Sequence, residues 1–113
     1  MKFSRGRGKI LLSGIGNKKT IEVVDGHYTD DGKYFIYKGK SKWYVMDANS
    51  GLSYGNSQNY QTKKDVEKEL TNIIIKFEKV REEQKDWYKK MTNSYKKLCK
   101  AYDLEEGRRI YGE

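Results

Sequence analysis

The sequence predicts an α+β domain in which an antiparallel sheet of four to five short strands precedes one long or bent C-terminal helix, or a helical hairpin. Three observations lead there. Short runs rich in Tyr, Phe, Trp, Ile and Val alternate with Gly-, Asn- and Asp-bearing turns over the first half. From residue 62 the apolar residues recur instead at alternating steps of four and three. No Pro interrupts either half.

Taken in order, strands are expected over 9–15 and 20–28, joined through Gly16-Asn17-Lys18-Lys19, where Gly and Asn accept positive φ. Thr29-Asp30-Asp31-Gly32 is the second turn. Strands over 33–37 and 42–47 flank Lys38-Gly39-Lys40-Ser41, and Ala48-Asn49-Ser50-Gly51 leads into a last strand over 52–56. The central pair, Tyr34-Phe35-Ile36-Tyr37 and Trp43-Tyr44-Val45-Met46, does not alternate with polar residues. One of its faces fits under a helix. The other is either covered as well or is a Tyr-rich contact surface.

Thr62 is placed to cap the helix, with Asp65 in capping-box register. The apolar row Val66, Leu70, Ile73, Phe77, Val80, Trp87, Met91 and Leu98 follows, interrupted at Gln84 and Ser94. An unbroken helix over 62–103 would run about 63 Å, whereas a compact chain of this length has a radius of gyration near 13 Å. The helix therefore bends near Gln84 or over 91–94, or its far half packs on a second copy. In a parallel coiled coil the flanking pairs would be Glu69–Ile74, Lys76–Arg81, Glu83–Tyr88 and Lys90–Tyr95, none of them of opposite charge. Packing on the chain's own sheet is preferred, with a homodimer through the helical region as the fallback. The expected layout is a single domain over 1–113: a flexible basic arm (1–8), the sheet (9–57), the helical region (62–103) and a tail (104–113).

Mean hydropathy is −1.02, low enough for disorder, but ten Tyr, three Phe and two Trp in patterned runs argue for a folded core. No apolar run approaches the roughly 18 residues that span a bilayer, and the basic start precedes only Ile10-Leu11-Leu12, too little for a signal-peptide core. Cys99 is the single cysteine, so no disulfide framework exists, and a reducing, cytoplasmic setting is expected.

Catalytic chemistry finds little purchase. His27 is the only histidine and reads as a turn residue; a general base or a metal site needs company. Cys99 lies beside Leu98 and Tyr102 as a small apolar residue. Gly39-Lys40-Ser41 lacks the first Gly of a phosphate loop, since position 34 is Tyr, and Gly14-Ile15-Gly16 lacks the third Gly of a dinucleotide loop. Asp47, Asn49 and Gly51 begin like a calcium loop, but the twelfth position is Gln58. No enzyme, cofactor or metal is expected.

Binding remains. The net charge of +8 is concentrated in two blocks. Residues 1–21 hold six bases and no acid, and residues 85–100 hold six Lys against Asp86. Such blocks are an electrostatic footprint for polyanions. The candidate cations are Lys2, Arg5, Arg7, Lys9, Lys18 and Lys19 in the first block, and Lys85, Lys89, Lys96 and Lys100, expected mostly opposite the apolar stripe, in the second. Tyr34, Tyr37, Trp43, Tyr44, Tyr54 and Tyr60 form a candidate aromatic contact surface, for bases or for a protein.

Two resemblances bear on the partner. Residues 33–70, with strands at Tyr34-Phe35-Ile36-Tyr37, Trp43-Tyr44-Val45-Met46 and Leu52-Ser53-Tyr54-Gly55-Asn56 before Thr62-Lys63-Lys64-Asp65-Val66-Glu67, resemble the three-strand-plus-helix DNA-binding modules of tyrosine recombinases. That family lays its strands in a major groove; the third strand here has no basic residue. As a type, a short, Lys- and Tyr-rich, Pro-free chain is similar to accessory proteins of phages and mobile elements, among them anti-CRISPR proteins. This implies as partner a nucleic acid, or a ribonucleoprotein or nuclease effector inhibited by protein–protein contact. A DNA mimic, which is acidic, is excluded.

Overall fold

The computed structural model describes residues 2–13, 18–55 and 58–110, and the turn at Gly16 and Asn17 lies outside them. Five antiparallel strands form a meander in the order β1-β2-β3-β4-β5: β1 (Phe3–Ser13), β2 (Lys19–Thr29), β3 (Tyr34–Lys38), β4 (Trp43–Asp47) and β5 (Ser53–Tyr54). Two helices follow, α1 (Lys63–Glu83) and α2 (Lys85–Ile110). The α+β architecture is as expected, with a bent helical region.

The central strands are apolar on both faces because both are covered. Tyr34, Ile36 and Val45 point to one side and pack under Val66, Leu70, Ile73 and Phe77 of α1. Phe35, Tyr37 and Met46 point to the other and pack with Ile10 of β1 and Tyr95 of α2. Two helices on opposite faces make a three-layer arrangement around β3 and β4, whose residues 34–37 are all buried. Tyr34 and Tyr37, expected on a contact surface, are therefore core residues, 2% and 6% exposed. Free surface on β3 and β4 is left mainly at their Lys38 and Trp43 ends, beyond the buried residues 34–37 and 45–47.

The chain passes from one face to the other at Gln84, where φ −128° and ψ 51° break the helix. Gln84 N–H still donates to the Val80 carbonyl at 2.9 Å, and Tyr88 N–H to the Gln84 carbonyl at 2.9 Å, so Gln84 stays bonded to the helix on each side of the break. The start of α1 is the expected capping box: Asp65 N–H donates to Thr62 Oγ1 (3.2 Å) and Thr62 N–H to Asp65 Oδ2 (3.1 Å). Beyond the break the packed side of the helix changes. Tyr88, Thr92, Tyr95 and Cys99 turn inward, while Trp87, expected in the apolar row, is 46% exposed.

A buried carboxylate holds the crossover. Asp47, 1% exposed at the end of β4, accepts from Asn49 N–H (3.0 Å), Ser50 Oγ (3.0 Å) and Tyr88 OH (2.5 Å), and lies 3.8 Å from the Arg81 guanidinium. Arg81 donates to Tyr34 OH at 2.6 Å. Asp47, the last residue of the expected strand over 42–47, thus ties the last turn of α1 and the first of α2 to the sheet. Gly51 closes that turn at φ 75°, where a Cβ would also meet the Tyr95 ring at 2.4 Å.

Within the expected flexible arm over 1–8, residues 3–8 are instead the first half of β1, which pairs with β2 from Phe3↔Thr29 to Ser13↔Lys19, while residue 1 lies outside the described residues. The reason lies in the Arg5-Gly6-Arg7-Gly8 run read at a period of two. Gly6 and Gly8 face the α2 side, where the Tyr28 and Phe35 rings lie across the backbone. A Cβ on Gly8 would stand 2.5 Å from Phe35, and one on Gly26 of β2 would stand 2.5 Å from the same ring. Tyr28 and Phe35 are in contact, with centroids 4.7 Å apart, and Tyr28 OH donates to the Arg7 carbonyl at 2.8 Å. Of the segment expected as a tail (104–113), residues 104–110 continue α2, and 111–113 lie outside the described residues.

Gly8→Ala is expected to destabilise the protein by roughly 1–3 kcal/mol through overpacking against Phe35. Ser4→Ala, an exposed position on the same strand, is expected to stay within about 0.5 kcal/mol. Urea unfolding of the two variants checks the pair. Asp47→Ala is expected to cost about 3 kcal/mol, because Arg81 and Tyr88 lose their common acceptor.

Candidate nucleic-acid interface

Placing the glycines of β1 under aromatic rings puts its arginines on the other face. Arg5 stands opposite His27 and Arg7 opposite Asp25. His27 stands opposite Ile36, and Lys38 opposite Trp43, so these side chains share the sheet face that carries α1. Where α1 does not reach, they line a recess of about 370 Å³, formed by Arg5, Arg7, Asp25, His27, Lys38 and Trp43 over the backbone of Gly6 and Gly26. Lys63, at the start of α1, has its Nζ 4.7 Å from the centre of the Phe3 ring, and its charge acts on His27.

Electropositive character dominates this recess. Arg7 lies 3.5 Å from Asp25, but both side chains are largely exposed (78% and 85%), so water screens the pair and Arg7 remains available. Burial holds His27 below its ordinary value of 6.5, and the nearby Lys63 and Arg5 charges push it the same way, against Glu67. Around neutral pH the recess therefore offers cations, a neutral imidazole and one indole. Trp43 is half-buried, packed against the α1 core on one side and lining the recess on the other.

The remaining predicted cations are elsewhere. Lys9 is bound to Asp103 of α2 at 2.7 Å and serves as a strut between the first strand and the second helix. Lys2, Lys18 and Lys19 are exposed. Lys85, Lys89, Lys96 and Lys100 are exposed and, among the described residues, make no ion pair. They do not lie opposite the packed stripe; they run beside it, on the side of buried Thr92 and of Asp103. None of these four lysines lines the recess of Arg5 and Arg7, although Lys9 and Asp103 join the first strand to this side of α2.

Of the six aromatics, only Trp43 joins cations from the predicted set in one recess. Tyr44 stacks on Tyr37 at 5.4 Å on the opposite face. Tyr54 accepts from Lys76 Nζ at 2.6 Å, and Tyr60 packs against the α1 core. The recess also contains three residues that sequence reasoning left out: His27, Lys38 and Asp25. His27, expected in a turn, sits within β2. Strand alternation was the available signal for Arg5 and Arg7; for the other three the strand register was needed.

Among the described residues, no three His, Cys, Asp or Glu side chains gather as metal ligands would, and no helix is long and apolar enough to cross a membrane.

The depressed His27 favours its neutral form in the fold. The stability it contributes is therefore present above pH 6.5 and is lost as the pH falls. His27→Gln is expected to lose less stability than the wild type between about pH 7.5 and about pH 5.5, as read from urea midpoints. No protein-family model, curated protein or solved structure matches the chain.

Proposed function

We propose that this chain is a non-catalytic binding protein that takes nucleic acid, free or within a nucleic-acid–protein complex, on the recess of Arg5, Arg7, Lys38 and Trp43. The observation that carries the reading is the sorting of β1: alternate residues of one strand are glycines under aromatic rings and arginines over an open, cationic recess. Arginines with a neighbouring indole supply the two contacts a nucleic acid uses without sequence readout, phosphate pairing and base stacking. The resemblance in type to accessory proteins of phages and mobile elements supplies the setting, a cytoplasmic one in which the partner is a defence nuclease or its nucleic acid.

A second reading, inhibition by protein–protein contact, is favoured by one other feature. Leu52, Tyr54, Phe77, Val80 and Trp87 line a mostly apolar cleft of about 270 Å³ between the last strand and the helices. Salt separates the two. Three phosphate contacts predict a loss of affinity of roughly 20–40-fold between 50 and 200 mM salt, whereas a contact centred on Trp87 would change little.

In gel-shift titrations with DNA and RNA, Arg5→Ala with Arg7→Ala is expected to weaken binding and to lower the salt slope by about 1.4–1.8. Asp25→Asn is expected to tighten binding severalfold. Lys96→Ala with Lys100→Ala is expected to have the smaller effect. A reversed order of the two double variants would move the interface to α2, and no shift at low salt would discard it.

A further inference from the structure

The recess is specific in shape as well as in charge, and the inference rests on the nucleic-acid reading above. Arg5 and Arg7 are two residues apart on one strand, about 6.6 Å, comparable to the spacing of successive phosphates on an extended single strand. Arg7, Asp25, Lys38 and Trp43 lie across four adjacent strands. Arg7 and Trp43 are thus about 14 Å apart at the backbone, at about 4.8 Å per strand step. The length of the arginine and the breadth of the indole reduce that gap to the reach of one nucleotide from phosphate to base.

The recess of about 370 Å³ has room for one such unit. Lys63, in the first turn of α1, is near enough for its charge to act on His27, lies over Phe3 and pairs with Glu67 at 3.0 Å. A duplex keeps its bases stacked inside and would touch only the rim, so its bases could not reach Trp43. Two lining groups suit a base edge: the exposed Asp25 carboxylate can accept from exocyclic amines, and neutral His27 can both donate and accept.

We propose that the recess takes one unstacked nucleotide of a single-stranded nucleic acid, with its base against Trp43 and its flanking phosphates on Arg5 and Arg7. Phosphate contacts alone would serve any polyanion; the indole beside them selects for a base out of its stack.

The test uses the full chain carrying Trp87→Phe, a change at an exposed position that leaves Trp43 as the sole tryptophan. Its fluorescence is titrated at low salt with a mixed-sequence DNA single strand, the matching RNA single strand and the blunt DNA duplex of equal length. Quenching by the single strands, with affinity about tenfold above the duplex, is expected from one stacked base. Trp43→Leu should remove that advantage while leaving duplex binding in place. Equal affinities for single strands and duplex, with Trp43 emission unchanged, would overturn the inference and leave the polyanion reading standing. No binding of any of the three would overturn both. The quenching readout needs no change at Trp43, so it decides the matter even where Trp43→Leu perturbs the fold.

Discussion

Much of this molecule follows from one contact, the Phe35 ring lying flat across the backbones of Gly8 and Gly26. The ring is fully buried, and nothing larger than hydrogen fits between it and either strand. It draws β1 and β2 onto the face that α2 covers, and Tyr28 continues the contact over Gly6. The strand period then leaves no freedom for Arg5 and Arg7. They must project from the opposite face, where α1 leaves the sheet open. Charge is positioned here by apolar packing, without an ion pair having to hold it.

The same double-sided use of the sheet explains the helices. A chain with aromatics on both faces of β3 and β4 needs two covers, and the helical region supplies both by breaking at Gln84. The break is held at a costly place, since Asp47 is a buried carboxylate. Four groups meet it: the Asn49 amide, the Ser50 and Tyr88 hydroxyls and, at longer range, the Arg81 guanidinium. Removing any one member leaves the others less well satisfied, which suits a junction that must adopt one geometry. Farther along α2, the Tyr95 hydroxyl donates to the Lys9 carbonyl, and Lys9 itself reaches Asp103. The second helix is thereby fastened to the first strand by main-chain and side-chain bonds.

Local features were legible in the sequence and through-space ones were not. Thr62 and Asp65 announce the helix start because a capping box is complete within four residues. The period change at residue 62 and the strand order follow from local patterns; the mismatch between helix length and domain size allows a bend near Gln84 or over 91–94, or packing on a second copy, and the structure has the break at Gln84. The Arg-Gly alternation is ambiguous on paper, reading equally as a flexible arm or as a strand with one bare face. Tyr28 and Phe35, some twenty to thirty residues away, decide between them. The phase of the apolar row past Gln84 was also hidden, so Trp87 was expected inside and Tyr88 takes its place. His27, Lys38 and Asp25 join the recess only through the β1–β2 and β2–β3 registers, which no local pattern specifies.

The proposed interface therefore stands on whether residues 3–13 are a paired strand. Amide hydrogen exchange of the full chain under native conditions measures this directly. The amides of 4–12 that bond to β2 are expected to exchange far more slowly than an unstructured peptide and to approach the protection of β3 and β4. Exchange of all of them at the unstructured rate, with β3 and β4 protected, would return the segment to a free basic arm and dissolve the recess.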